Sequence, residues 1–240
     1  MLKGKRQVVY VMLITTIFFY SCEKEVSSVV RDIDGNEYKT ITIGEQVWMA
    51  ENLKVSHYRN GDPIPNMKSS GDWQNTKVGA YCYYDNKSSY GDTYGALYNW
   101  IAVDDSRKLA PEGWHIPTDD EWKELELYLG MSESDVNQED DRGFSVDVKL
   151  AGNSDLWPVY SLNDQSDFGQ SGFNALPGGS RDGQYGEYGS IGIDGAAGFW
   201  TGSGDKKQGA WYRSIFCFFT GVNRRIAYRL DGLSVRCVKD

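Results

Sequence analysis

A helix with both of its ends encoded in the sequence is the feature that most constrains this chain. Pro117 keeps the residue before it out of the helical region, and Thr118 follows as an N-cap with Glu121 three residues later. This spacing predicts a capping box, in which each residue bonds the other's backbone amide. Gly130 is the expected stop. The positions between them carry an apolar stripe that is made of Trp122, Leu125 and Leu129. Such a stripe must pack on a large apolar surface, so we expect a folded domain around this helix.

The first 21 residues have the pattern of an export signal. They combine a basic start with an apolar run over residues 8–20, which is shorter than the roughly 20 residues that a membrane span needs. Ser21 precedes Cys22, as at the cleavage site of bacterial lipoproteins. We therefore expect residues 1–21 to be a lipoprotein signal peptide, Cys22 to be lipidated and residues 22–30 to be a tether. An ordinary cleaved secretory signal is the alternative.

The net charge of the chain limits the classes of partner that it can bind. Three of the 25 Lys and Arg residues lie in the signal and none of the 34 Asp and Glu residues do, which leaves 22 basic against 34 acidic residues, or −12. A protein this acidic lacks the basic surface that nucleic acids or anionic headgroups require. We expect no nucleic-acid partner, and membrane contact through the lipid anchor alone. The expected location is the outer membrane of the cell envelope, on its surface or its periplasmic face.

Residues 31–240 are expected to form one α+β domain. Alternating apolar residues around Gly44 predict a β-hairpin over residues 38–53, and residues 80–84 have the pattern of a strand. Apolar residues at helical spacing predict a first helix over residues 93–103. Residues 131–172 are acidic and weakly patterned, which predicts a long loop region. Short apolar segments between Gly-rich turns then predict strands at residues 173–176, 199–201, 210–219, 224–228 and 233–238.

Few residues suit catalysis or metal binding. The chain has two histidines, and we expect His115, between Trp114 and Ile116, to satisfy local backbone groups. No His and Cys cluster has zinc spacing, and residues 135–141 lack the spacing and the glycine of an EF-hand loop. We therefore predict a protein that is not an enzyme and has no cofactor. A structural Ca²⁺ held by loop carboxylates stays open as an alternative.

The C-terminal third is rich in aromatic residues, arginine and glycine. Aromatic and Arg side chains provide rigid stacking faces and are frequent in binding hot spots. Residues 211–218 are apolar on both faces of the expected strand, which indicates that many of these aromatics are core. Residues in or near turns are better candidates for an exposed ligand surface. The candidate ligand-binding residues are Tyr185, Tyr188, Arg224, Arg225, Trp200 and Tyr228.

Five segments of the sequence resemble those of a known family. They are DIDGNEYKTITIGEQVWMAENLK at residues 32–54, YGALYNW at 94–100, PEGWHIPTDDEW at 111–122, GFNALPGG at 172–179 and LSVRCVKD at 233–240. In this order and spacing, they resemble the Fibrobacter succinogenes major paralogous domain over about residues 29–240. That family resembles, more distantly, the sulfatase-modifying-factor branch of the C-type-lectin-like fold. The resemblance implies two helices packed on a twisted antiparallel sheet with long loops. It implies adhesion or ligand binding on lipoproteins but no established activity.

The resemblance also restricts the chemistry. The formylglycine-generating branch uses two cysteines a few residues apart, whereas Cys217 and Cys237 are 20 residues apart, so that oxidase activity is not expected. The Glu-Pro-Asn, Gln-Pro-Asp and Trp-Asn-Asp tripeptides of calcium-dependent lectins of this fold are absent. With Cys22 lipidated, at most one bridge can form among the three other cysteines. Related folds leave two outcomes open for Cys237, which are a bridge to Cys217 and a free thiol.

The leading hypothesis is a non-catalytic surface module for binding or adhesion, which recognises a glycan or protein ligand through its C-terminal loops. The alternative is a structural or assembly subunit of a surface appendage or envelope complex. A receptor with hypervariable C-terminal loops and an enzyme are less favoured.

Overall fold

The computed structural model describes residues 28–158, 162, 165–189, 195–205 and 209–240. The expected signal peptide and the expected lipidation site, Cys22, lie outside the described residues. Within the described ranges, no helix has both the length and the apolar character needed to cross a bilayer.

Antiparallel pairing dominates the described strands, which fall into three sheets. The five-stranded sheet has the order β1-β2-β3-β11-β6, with β1 at Val29–Arg31, β2 at Glu37–Ile43, β3 at Gln46–Met49, β6 at Trp114–His115 and β11 at Val238–Lys239. The four-stranded sheet has the order β7-β10-β9-β8, with β7 at Asp140–Arg142, β8 at Ala196–Asp205, β9 at Gly209–Phe216 and β10 at Val222–Ala227. Strands β4 (Tyr81–Cys82) and β5 (Leu97–Tyr98) form a small third sheet.

The described helices are few and short. They are α1 (Ser70–Asn75), α2 (Ser88–Tyr94), α3 (Trp100–Val103), α4 (Asp119–Tyr128) and α5 (Val146–Leu150), with 3-10 turns at Tyr84–Asn86 and Ser154–Leu156. The expectation of a mixed α and β protein with mostly antiparallel sheets is thereby confirmed at this coarse level.

Helix α4 begins and ends as its sequence predicts. The Thr118 hydroxyl accepts from the Glu121 amide at 3.2 Å, and the Glu121 carboxylate accepts from the Thr118 amide at 2.7 Å, so both halves of the capping box form. Gly130 follows the helix with a φ of 102°, a conformation that favours glycine. The Trp122 ring packs at 5.2 Å from Trp48 and 5.4 Å from Phe173.

The predicted hairpin is present as β2 and β3, joined at Gly44, whose φ is 64°. Strand β1 pairs with β2, so residues 29 and 30 belong to the folded domain and not to a tether. The Ser28 and Thr40 hydroxyls, 2.6 Å apart, extend this pairing by one residue.

The predicted first helix over residues 93–103 is wrong. Helix α2 ends at Gly95, whose φ is 77° and where an added Cβ would stand 2.7 Å from Asn52 Cβ. The chain then pairs as β5 before Asn99 caps a new helix, α3, by accepting from the Ala102 amide at 3.0 Å. The helical spacing of the apolar residues is therefore divided between two short helices and a strand.

Residues 131–172 are not the continuous loop that their pattern predicts. They contain β7, α5 and a 3-10 turn, and the side chains of Val146, Val148 and Leu150 are buried. Helix α5 has five residues, which is too short to show a helical period. Residues 173–176 make a single bridge, Ala151 to Ala175, and no strand. The expected strands after residue 195 are present with shifted ends, except that residues 233–238 contribute mainly isolated bridges.

Two large apolar clusters cover opposite faces of the same strands. In β3 and β8, Trp48 and Phe199 belong to one cluster, whereas their neighbours Met49 and Trp200 belong to the other. This alternation follows the two-residue period of strands. Cys237 lies in one cluster and Cys217 in the other, and both are free thiols, as is Cys82. The Cys217–Cys237 bridge, which was one of the two open outcomes, does not form.

Candidate functional site

A groove of about 380 Å³ lies on one face of the four-stranded sheet. Its floor is a cross-strand row in which Gly198 of β8 pairs with Ser214 of β9. Small-molecule sites have volumes of roughly 300–1,000 Å³, so the groove can hold a ligand of one or two rings.

Half-buried aromatic side chains border this floor. Tyr212 and Phe216 lie four residues apart on β9, on the same face as Ser214, and both line the groove. Tyr228, which is 48% exposed, follows β10 at the groove wall. Arg225, opposite Tyr212 in the strand register, donates from Nε to the Asp140 carboxylate. The groove thus combines aromatic faces with a few polar groups.

The groove wall consists of two turns held together by Asp231. Its carboxylate accepts from the Gly183 amide at 2.8 Å and from the Tyr228 amide at 2.9 Å. An added Cβ at Gly183 would stand 2.4 Å from the Leu230 carbonyl carbon, so the turns meet backbone to backbone. Burial raises the pKa of Asp231 to about 6, against the lowering effect of the two amides. The shape of the groove therefore depends on this carboxylate.

A buried arginine holds the other end of the same wall. The Arg181 guanidinium donates to the carbonyls of Met67, Lys68 and Gly186 at 2.6–3.1 Å. It also lies 4.6 Å from the Trp73 ring centroid. Because these bonds direct its charge away from the groove, Arg181 positions the wall and does not offer a cation to a ligand.

The structure brings together two of the six candidate residues. Arg225 and Tyr228 line the groove. Tyr185 is exposed in a neighbouring turn, where its amide donates to Asp182, but it does not line the groove. Tyr188 is half-buried and fixes its loop, because its hydroxyl accepts from the Asn86 amide and its ring packs 4.9 Å from Tyr84.

The other two candidate ligand-binding residues, Trp200 and Arg224, are buried and do not line the groove. Trp200 is fully buried and donates from Nε1 to the Tyr98 carbonyl at 2.7 Å. Arg224 is buried on the opposite face of the sheet, where it donates to both Asp119 oxygens at 3.0 and 2.7 Å and stacks on Trp211. Arg224 and Arg225 are adjacent in a strand, so they point to opposite faces.

Arg224 belongs to a buried ionic cluster between α4 and the sheet. Glu126 of α4 accepts from Arg213 at 2.7 Å and from Arg142 at 3.0 Å, and Asp119 accepts from Arg213 at 2.8 Å. Burial alone would raise the pKa of Asp119, but hydrogen bonds from Arg224 and Arg213 lower it well below its usual range. The cluster holds the helix on the face of the sheet opposite the groove.

His115 does not bond local backbone groups as expected. Its Nε2 lies 2.7 Å from Glu121 and its Nδ1 lies 2.7 Å from Asp240, so it connects the cap of α4 to the end of the chain. Across the described ranges, no group of three or more His, Cys, Asp or Glu side chains is placed to hold a metal ion.

Sequence reasoning missed the floor of the groove. Tyr212, Ser214 and Phe216 alternate with Trp211, Arg213 and Ile215. The second set lies on the face toward α4, where Arg213 donates to Asp119 and Glu126. The sequence shows this alternation, but it does not indicate which of the two faces a helix covers. Asp231 followed by Gly232 is a turn signal that could have marked the wall.

Comparison with known proteins identifies the family of this chain. The family model of the Fibrobacter succinogenes major domain matches residues 41–239. No curated protein and no solved structure matches the chain. The match includes every described strand of the groove and the helix behind it. The chain therefore belongs to the Fibrobacter succinogenes major domain family.

Proposed function

We propose that the protein is a non-catalytic, lipid-anchored binding module of the cell envelope that holds a glycan in the groove of the four-stranded sheet. The observation that carries this proposal is the lining of the groove, in which Tyr212, Phe216 and Tyr228 surround a small polar floor. Aromatic rings pack against the apolar faces of sugar rings, and polar groups beside them select among hydroxyls. The lipoprotein-like sequence that ends at Cys22 supports the location.

Substitution of the groove tyrosines tests this function. We expect Tyr212→Ala and Tyr228→Ala each to weaken glycan binding about tenfold or more, as truncation of a binding hot spot does. Tyr128→Ala is the matched control, because Tyr128 is more exposed than Tyr228 but lies on α4. The full-length protein in a detergent without sugar headgroups is screened on a glycan array, and hits are measured by titration calorimetry. Absence of any glycan binding, or hydrolysis of a bound glycan, would contradict the proposal.

An assembly role is favoured by a separate observation. Phe144, Phe218 and Phe219 are exposed, and all three follow strand ends at one end of the four-stranded sheet. Exposed aromatic groups of this kind are typical of protein contacts. Under this alternative, Phe144→Ser combined with Phe218→Ser would abolish crosslinking to a partner protein in cells while glycan binding stays unchanged.

A further inference from the structure

The aromatic side chains that line the groove form a row along β9. Tyr228 follows Ala227, which pairs with Ala210 near the start of this strand. Tyr212 and Phe216 then lie on one face of β9 and are half-buried in the groove. The six-residue step from Ala210 to Phe216 covers about 20 Å at the rise of an antiparallel strand. The row therefore runs in one direction and is longer than a single six-membered ring.

The row continues beyond the groove to Phe219. The rings of Phe216 and Phe219 pack edge to face, with centroids 6.0 Å apart and planes at 89°. The Phe219 amide donates back to the Phe216 carbonyl at 3.4 Å. Phe219 is nevertheless 55% exposed and is not among the residues that line the groove. A ligand that fills the groove and extends past Phe216 therefore meets the Phe219 ring.

The turn that carries Phe219 is fixed on both sides. Cys217 is buried, and its amide donates to the Gly195 carbonyl at 3.0 Å. At Gly221, φ is 92° and an added Cβ would stand 2.6 Å from the Arg142 carbonyl oxygen, so this end of the turn rests on the backbone of β7. A ring on a fixed turn loses little conformational freedom when a ligand stacks on it. The turn thus presents Phe219 in a preorganised position.

Small residues on the neighbouring strand leave space beside this row. Ala196 of β8 pairs with Phe216 of β9, and Gly198 pairs with Ser214. Directly paired residues of an antiparallel sheet share a face, and both Ala196 and Gly198 line the groove. The groove therefore follows the aromatic row, with small side chains along its other side.

We propose that the groove binds a linear glycan of three or more sugar units and that Phe219 is its outer stacking platform. The inner units pack against Tyr212 and Tyr228, and a further unit stacks on Phe219 beyond the groove. This inference rests on the proposed glycan-binding function and specifies the class of glycan. A single sugar or a disaccharide fills only the groove and is a weaker ligand.

The dependence of affinity on chain length tests this proposal. The full-length protein, in a detergent without sugar headgroups, is titrated calorimetrically with β-1,4-linked oligosaccharides of glucose, mannose and N-acetylglucosamine. Each series runs from two to six units. We expect the affinity for the series that binds to rise about three- to tenfold between two and four units, the effect of one added aromatic stacking contact.

Variants of the turn separate the outer platform from the groove. Phe219→Ala is expected to remove the gain with chain length and to leave the affinity for the two-unit sugar unchanged. Phe219→Tyr keeps a ring and should keep the gain. Tyr212→Ala should weaken binding at every length. Phe218→Ala is the matched control, because Phe218 precedes Phe219 in the same turn and is 57% exposed, and it should leave the length dependence intact.

Three results would overturn the outer platform. They are equal affinity for all chain lengths, an unchanged length dependence in Phe219→Ala, and an equal loss for short and long sugars in that variant, which would show that Phe219 acts by positioning Phe216. In each case the proposed function stands if Tyr212→Ala still weakens binding. If none of the three series binds, the linear class fails, and a glycan array without hits removes the proposed function as well.

Discussion

Two aspartates of the four-stranded sheet region have opposite pKa shifts, and their neighbours explain the difference. Asp231 is desolvated in the groove wall and is bonded only by backbone amides and close to Asp182, so its pKa rises to about 6. Asp119 is buried behind the sheet, but two arginines donate to it and lower its pKa. Asp119 therefore stays ionised and holds the helix, whereas Asp231 can take up a proton near pH 6.

The stability of the groove wall should depend on pH through Asp231. Its pKa is about 6 in the folded protein against 3.8 for the free side chain, so the folded state binds the proton more tightly. The contribution of Asp231 to stability is then greatest below about pH 4 and is lost as pH rises to about 6, by up to roughly 2–3 kcal/mol. Because the amide introduced by Asp231→Asn does not titrate, the Tm of wild type minus that of the variant should fall between pH 4 and pH 7. Asp155→Asn, at an exposed position, provides the control. A Tm difference that does not vary with pH would contradict the assignment.

At the scale of elements, helix α4 depends on local interactions for its formation and on tertiary contacts for its position. Its capping box and acidic first turn form within the helix and its first neighbours. Its docking requires Trp48, Phe173 and the arginines of three different strands. The helix is therefore specified by its own sequence, while its position is set by segments that are distant in the chain.

Loss of the Glu126 charge should destabilise the packing of α4 on the sheet. Glu126 is fully buried and accepts from Arg142 and Arg213, so Glu126→Gln leaves two buried arginines with less counter-charge. We expect a loss of about 3–5 kcal/mol in the free energy of unfolding, measured by urea denaturation. Glu124→Gln removes the same charge from an exposed position of the helix and should change the free energy by less than about 0.5 kcal/mol. Equal effects of the two changes would show that the cluster does not hold the helix.

At the scale of the whole molecule, the fold does not depend on a disulfide between its described cysteines. Cys82, Cys217 and Cys237 lie in three separate apolar clusters. Burial raises the pKa of each thiol, to about 12 for Cys237. Because the thiolate is the reactive form, all three should be inert in the folded protein.

Alkylation followed by peptide mass spectrometry tests this arrangement. We expect iodoacetamide at pH 8 to label Cys82, Cys217 and Cys237 in urea but not in buffer, and dithiothreitol to leave Tm unchanged. The urea sample is the control for reagent access. A disulfide-linked peptide that contains both Cys217 and Cys237 would contradict the structure.

The sequence by itself determined the elements whose causes are local. The Thr118–Glu121 capping box, the stripe of α4 and the turn at Gly44 each depend on residues within a few positions of one another, and all three are present as predicted. Where contact with a distant segment determines the local conformation, the prediction from sequence was wrong. The helix expected over residues 93–103 is divided because Gly95 must approach Asn52 closely.

Only the tertiary structure decided which residues form the candidate site. The period of two along β10 separates Arg224 from Arg225, and the same period along β9 separates Arg213 from Ser214. Both faces of β9 are apolar enough to be buried, so the pattern alone could not assign one of them to the core. Helix α4 covers the first member of each pair and leaves the second at the groove. The physical reason is that alternation is a property of one strand, whereas burial depends on which element packs against it.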